Sequence, residues 1–82
     1  MPMSRVEIRA PMPGVFYRKP SPDSPPFKVD GDDVAAGDVV GLIEVMKSFH
    51  EVSALEGGKS VRFLLEDADA VMAGQVIAEI EV

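Results

Sequence analysis

The sequence predicts an all-β domain, a flattened antiparallel barrel or sandwich, from three observations. Short stretches alternate apolar and polar residues, as over 6–10 (Val-Glu-Ile-Arg-Ala). Turn-forming residues, such as those over 36–38 and 57–58, separate these stretches. Two blocks of the chain also repeat. An apolar face backed by a charged face is typical of half-buried antiparallel strands, and no stretch shows the 3.6-residue period of a helix.

In chain order, the alternation predicts strands over 6–10, 39–45, 49–55, 61–65 and 76–82. The last is the most regular of these. It places Val76, Ala78, Ile80 and Val82 on the core face, and Ile77, Glu79 and Glu81 on the other face.

An internal repeat divides the domain into two related halves. With a shift of 37 residues, 33–45 falls on 70–82, and seven of the thirteen pairs are identical. The earlier strands match at a shift of 44, where Glu7 falls on Glu51, Ala10 on Ala54 and Gly14 on Gly58. We therefore expect two four-stranded sheets related by a pseudo-two-fold axis, with the link 45–51 as the counterpart of the open chain ends.

The two matching shifts, 44 and 37 residues, differ by seven, so the first half holds seven more residues than the second. They lie between Gly14 and Asp33, a window that contains the proline-rich stretch 19–26. Such a stretch does not suit a central strand, so it predicts an insertion that protrudes from the two-fold structure.

Composition excludes several classes of function. The chain has 82 residues and a net charge of −6, which disfavours nucleic acid as a partner. It has no cysteine and one histidine, so disulfides, thiolate chemistry and a zinc cluster are not expected. No signal-like or membrane-spanning stretch of about 18 apolar residues occurs, which predicts a cytoplasmic protein. An enzyme of this size is unusual.

The turn after 39–45 carries the strongest candidate site. Met46 and Lys47 fall at or near its tip, although the turn has no Gly, Asn or Pro at its centre. A lysine there presents its amine to solvent on a rigid support and could accept an acyl group. The alternative is a plain solvated turn lysine. No Ser/His/Asp arrangement is evident, and Gly57-Gly58-Lys59-Ser60 lacks the first glycine of a phosphate-binding loop.

These residues resemble the biotinyl domain of biotin carboxyl carrier proteins, in the biotinyl/lipoyl family. Residues Glu44-Val45-Met46-Lys47 resemble the E-A-M-K attachment motif, with Val45 in place of the alanine and Ser48 in place of the methionine that usually follows the lysine. Gly31 and Gly37 stand where the family has turn glycines. The residues over 10–23 resemble the strand and "thumb" of bacterial acetyl-CoA carboxylase carriers, S-P-M-V-G-T-F-Y-R-x-P-S-P-D.

The resemblance implies a barrel-sandwich hybrid, one domain over 1–82, whose insertion at about 19–26 is the thumb. It implies that Lys47 accepts biotin, that Val45, Met46 and Ser48 form the attachment hairpin, and that Glu44 is read by a biotin ligase. The thumb residues Pro20, Ser21, Pro22 and Asp23 would fold toward Lys47 and contact the biotin ring.

The implied function is that of a non-catalytic, monomeric carrier with a swinging arm. It would shuttle carboxybiotin between biotin carboxylase and carboxyltransferase, in an acetyl-CoA or other acyl-CoA carboxylase of fatty acid biosynthesis. Its partners would be those two enzymes and the ligase, without nucleic acid or membrane. The alternatives are a lipoyl-type acyl carrier and an unmodified barrel-type interaction module.

Overall fold

The computed structural model describes residues 4–82, which form seven strands and no helix. The strands are β1 (Arg5–Arg9), β2 (Gly14–Tyr17), β3 (Val39–Val45), β4 (Ser48–Ser53), β5 (Lys59–Phe63), β6 (Asp69–Val71) and β7 (Val76–Glu81). They make two antiparallel sheets, ordered β1-β7-β5 and β4-β3-β2-β6. The prediction of an all-β, two-sheet antiparallel fold is confirmed, and the two sheets do not close into a continuous barrel. Between Ser4 and Val82 there is no helix that could cross a membrane.

The prediction of four strands in each sheet is correct for one sheet and wrong for the other. In the described residues the smaller sheet has three strands, and its fourth is reduced to a single bridge between Val34 and Gly58. Their N–H groups donate to each other's carbonyl oxygens at 2.9 and 2.7 Å. The chain turns just before this bridge, because Gly31 has a φ of 95° and Asp32 Oδ2 accepts a hydrogen bond from Val29 N–H. The segment still bonds to β5, because Gly31 N–H donates to Val61 O at 2.8 Å and Val61 N–H donates to Asp32 O at 2.9 Å, but the positive φ of Ser60 (53°) interrupts regular pairing.

The pairing confirms the predicted pseudo-two-fold relationship. The Val34–Gly58 bridge is the counterpart of the Gly14–Val71 pair between β2 and β6, as the shifts of 37 and 44 require. In the β3–β4 hairpin, Val45 pairs with Ser48. The equivalent pair in the other half is Val82 with Ser4, where Val82 N–H donates to Ser4 O at 2.9 Å. The hairpin turn is thus the counterpart of the open chain ends.

The core lies between the two sheets and takes side chains from both. Phe16, Ile43 and Ile77 are fully buried, and Phe16 stacks on Phe63 with ring centroids 6.4 Å apart. Each such side chain contributes about 1.5–3 kcal/mol through burial. This packing gives strands β2 and β3 a rigid position, and β3 leads directly into the candidate turn.

The predicted outward orientation of Ile77 is wrong, since its side chain is completely buried. The β1–β7 pairing slips at this point: Ile8 pairs with Ala78 and Arg9 with Val76, so that Ile77 is an extra residue. This β-bulge interrupts the alternation, because it buries two consecutive residues, Ile77 and Ala78. The same bulge occurs in β3 at Val40, the counterpart of Ile77, which is also completely buried.

Candidate functional site

The candidate site is the two-residue connection between β3 and β4. Met46 and Lys47 have φ values of 51° and 66°, and Val45 and Ser48 form the pair that closes the hairpin. Two successive residues with positive φ define the type I′ geometry, whose twist matches that of the flanking strands. Neither residue is a glycine, so each carries a conformational cost of about 1–2 kcal/mol. Ser60 and Ala68 also have positive φ, so it is two such residues in succession at a hairpin tip that distinguish this turn.

The tip of this hairpin is open to solvent. Met46 is 94% exposed, and Lys47 is exposed as well. Across residues 4–82, no hydrogen bond or ion pair involves the Lys47 amine. Lys28 differs, because its Nζ lies 3.1 Å from Asp38 Oδ2. The Lys47 amine is therefore available to a reagent that approaches from outside.

Two aromatic side chains and a carboxylate support the hairpin from one side. The Tyr17 hydroxyl donates a 2.9 Å hydrogen bond to Glu44 Oε1. Its ring lies against that of Phe49, with centroids 6.2 Å apart. The hydrogen bond to Glu44, followed by partial burial and then by the negative charges of Glu44 and Asp67, raises the pKa of Tyr17 above 10.0. Tyr17 thus connects β2 to Glu44 in β3 and to Phe49 in β4, the pair next to the turn.

The insertion predicted from the repeat lies in a loop over 18–27. Phe27 N–H donates to Arg18 O at 2.9 Å and closes the loop at its base. At the far end, Ser24 N–H donates to Ser21 O, and the two hydroxyls lie 2.7 Å apart. Arg18 fastens the base to the sheet, since its N–H donates to Asp67 and its guanidinium lies 4.3 Å from the centre of the Phe63 ring.

A cleft of about 340 Å³ separates this loop from the hairpin strands. Pro20, Ser21 and Pro22 line it on the loop side, and Tyr17 and Phe49 line it on the sheet side. The structure therefore brings three of the four predicted thumb residues to a surface that includes Phe49, two positions after the lysine at the tip. The fourth, at position 23, is exposed and does not line the cleft.

Sequence reasoning did not identify Tyr17 or Phe49 as part of the site. The sequence could have indicated Phe49, because it is an aromatic residue in an otherwise polar stretch and follows the tip lysine by two positions. In the structure it is 58% exposed. An exposed aromatic ring next to a candidate attachment residue favours contact with a ligand or partner.

Comparison with known protein families gives one match that spans most of the chain. The model of the family described as "Biotin-requiring enzyme" matches residues 6–80. That range includes both strands of the hairpin, its tip, and the loop over 18–27.

Several curated relatives are biotin carboxyl carrier proteins of acetyl-CoA carboxylase. The chloroplastic protein 2 of Arabidopsis thaliana is 42% identical over 78% of this chain and 25% of the relative. The protein of Pyropia yezoensis is 38% identical over 90% of this chain and 47% of the relative. That of Haemophilus influenzae is 35% identical over 90% of this chain and 48% of the relative. The chain thus spans between a quarter and a half of the length of these relatives.

A solved structure shows a similar fold. The urea carboxylase of Kluyveromyces lactis matches with a TM-score of 0.75 and 32% sequence identity. The match covers 98% of this chain and 6% of the carboxylase.

Proposed function

The chain belongs to the biotin-requiring enzyme family, and we propose that it is a biotin carrier that accepts biotin on Lys47. The observation that carries this proposal is the exposed lysine at the tip of a strained two-residue hairpin. Family membership supplies the cofactor, biotin, and the geometry supports one residue as the point of attachment.

Lys47 acts as the nucleophile of the attachment step. Its neutral amine attacks the activated carboxyl carbon of biotin, an amide bond forms, the activating group leaves, and the amine loses a proton. A ligase must remove that proton, because the exposed hairpin offers no base in contact with Nζ among the residues described. Once bound, biotin supplies a site that takes up a carboxyl group and releases it to an acceptor.

The residues around the tip fit an attachment site for a small bicyclic group. Val45 and Ser48 hold the turn closed, and Met46 exposes its side chain beside the lysine. The cleft between Pro20–Pro22 and Phe49 offers apolar surfaces close to the hairpin. We assign the loop over 19–26 the role of thumb, with Pro20, Ser21 and Pro22 as the residues that contact the attached group.

Glu44 has two roles in this proposal. It accepts the hydrogen bond from Tyr17 and so fixes the strand that leads to the tip. Glu44 is half-buried and no ion pair engages it within residues 4–82, so its carboxylate can be recognised by a biotin ligase. Val45 and Ser48 lie at the same end, so the ligase reads the hairpin as a unit.

The carrier itself catalyses nothing in this scheme. The relatives are named as carrier proteins of acetyl-CoA carboxylase, and the solved structure is a urea carboxylase. We therefore propose biotin carboxylase, carboxyltransferase and a biotin ligase as partners, with an acyl-CoA carboxylase as the larger system. A rigid hairpin with a flexible lysine arm raises the effective concentration of the attached group at two active sites.

The test is co-expression with a biotin ligase, followed by intact mass measurement and streptavidin blotting. The proposal expects a mass increase of one biotin and a blot signal, both absent in Lys47→Arg. Lys59→Arg is the matched control, because Lys59 is an exposed strand lysine away from the hairpin. It should be modified like the parent protein.

An unshifted mass in the presence of active ligase and biotin contradicts the carrier proposal and favours an unmodified interaction module. A mass increase of one lipoyl group, on co-expression with a lipoyl ligase, favours the lipoyl-type carrier. Modification that persists in Lys47→Arg shows that another lysine is the acceptor.

A further inference from the structure

A second concave surface lies away from the attachment cleft. It is a groove of about 650 Å³ between β1 and β4, which we call the axial groove. The two strands are counterparts in the repeat, so the groove is lined by matched pairs that include Ile8 with Val52 and Glu7 with Glu51. It therefore follows the pseudo-two-fold axis of the domain.

Both walls of the axial groove are sheet edges. In the part of the chain that the structure describes, β1 pairs only with β7, and β4 pairs only with β3. Because Val45 and Ser48 form the closing pair of the hairpin, alternate residues of β4 bond to β3. The N–H and C=O groups of Phe49, Glu51 and Ser53 point the other way. They are available to a further strand.

The free edge of β4 is exposed to solvent. Its first four residues, 48–51, are all exposed. Leu55, just beyond the strand and in the groove wall, is 92% exposed. On β1, the Arg9 guanidinium bonds to Glu7 Oε1 at 2.6 Å and to Gly74 O, on the β7 side of the strand, at 2.7 Å. An exposed, unprotected edge is a template for strand addition.

The charge of the groove limits the partner that can bind there. Its ionisable lining residues are Glu7, Arg9, Glu51 and Glu56. Arg9 is paired with Glu7, whereas no ion pair engages Glu51 or Glu56 within residues 4–82. Two uncompensated carboxylates thus border an apolar floor, in a chain whose net charge is −6. A second copy of the chain would bring like charges together, so a positively charged partner fits better.

We propose that the axial groove binds an extended, lysine- or arginine-rich segment of a partner protein, which adds as a strand to the free edge of β4. Backbone hydrogen bonds to Phe49, Glu51 and Ser53 would hold it. Its apolar side chains would lie on the floor formed by Val52 and its neighbours, and its cations would face Glu51 and Glu56. The site begins two residues after Lys47 and does not require that lysine to be modified.

The probe is a short synthetic peptide of alternating valine and lysine, titrated into the isotopically labelled protein and followed by NMR. We expect amide shifts confined to β1, β4 and the segment after β4, with slowed hydrogen exchange at Phe49, Glu51 and Ser53. The double variant Glu51→Lys/Glu56→Lys should weaken binding at least about tenfold, because two attractions become repulsions. The control Asp33→Lys/Glu66→Lys makes the same change of net charge at exposed positions outside the groove, and should bind nearly as the parent does.

A second peptide, N-methylated at alternate residues, separates strand addition from charge attraction. It keeps the cations but lacks the donors that β4 carbonyls would accept, so its affinity should fall by about tenfold or more. Equal binding of the methylated peptide overturns strand addition. Shifts spread over the whole acidic surface, or equal weakening by both double variants, overturn the groove as the site. These outcomes are independent of biotin attachment, since the titration can be repeated on Lys47→Arg with the same expected result.

Discussion

Asp38 and Gln75 occupy equivalent positions in the two halves and make the same hydrogen bond. Asp38 Oδ2 accepts from the N–H of Ala35, and Gln75 Oε1 accepts from the N–H of Met72, each at 2.9 Å. Each turn also carries a backbone bond between the same positions, at 3.0 Å. One turn is therefore held by a charged side chain and its counterpart by a neutral one.

The stability contributed by Asp38 should depend on pH. The hydrogen bond from Ala35 N–H, followed by that from Lys28, lowers the pKa of Asp38 below 3.8. Since the folded pKa is the lower one, the stabilisation is present above pH 3.8 and is lost as pH falls through the folded pKa. Asp38→Asn should thus be less stable than the parent protein at about pH 7, with the difference shrinking at about pH 3, as measured by urea denaturation.

Gln75→Ala is the matched control for that titration. It removes one neutral hydrogen bond, so it should cost about 0.5–1.5 kcal/mol. The loss should be the same at both pH values, because amides do not titrate in this range. A difference for Asp38→Asn that does not change with pH would show that its charge is irrelevant to the turn.

Gly41→Ala should destabilise the fold by about 1–3 kcal/mol through overpacking. A Cβ at Gly41 would overlap the ring of Phe16 and lie 2.7 Å from Tyr17 O. The counterpart of Gly41 is Ala78, where the other half accommodates a methyl group in a fully buried position. The measurement is the free energy of unfolding from urea denaturation.

A double-mutant cycle identifies the clash behind that loss. In a Phe16→Leu background the ring is gone, so Gly41→Ala should cost clearly less than in the parent. Strict additivity of the two changes would mean that the loss arises from the Tyr17 carbonyl contact or from elsewhere.

Met46→Gly should raise the free energy of unfolding by about 0.5–1 kcal/mol, because glycine adopts a φ of 51° without the cost that methionine carries. The same change should reduce biotinylation by a ligase that reads the hairpin. The control is Met72→Gly, at another exposed methionine whose φ is not positive. It should lower stability and leave modification unchanged. A Met46→Gly protein that is less stable would contradict the strain assigned to the turn.

The ionisation of Tyr17 can be followed by ultraviolet absorbance, because the chain has one tyrosine and no tryptophan. Its pKa is therefore a measure of the hydrogen bond to Glu44. In a spectrophotometric pH titration, Glu44→Gln should lower the pKa of Tyr17 toward 10.0, since it removes the largest cause of the raised value. Glu81→Gln, at the counterpart of Glu44, should leave the titration unchanged. The stabilisation from this hydrogen bond is present below pH 10.0 and is lost as pH rises through the raised pKa.

Much of the architecture can be predicted from the sequence because the repeat and the period-two alternation are local patterns. They correctly predict an antiparallel all-β fold in two related halves, with Met46 and Lys47 at the tip of a hairpin. Alternation fails at Ile77, because a bulge depends on how β7 pairs with β1, and the consecutive apolar residues over 76–78 do not show which of them is the extra one.

The sequence by itself determined the family, the fold class and the lysine that we propose as the attachment residue. Only the tertiary structure decided the left-handed turn under that lysine, the approach of Pro20 to Phe49, and the groove between β1 and β4. The physical reason is that the cleft and the groove depend on the separation of segments far apart in the chain, whereas the turn follows the twist of the β3–β4 pair and is not marked by a Gly or Asn at its centre. The alternation of apolar and polar residues indicates which face of a sheet a side chain occupies. It does not report which distant backbone comes to lie beside it.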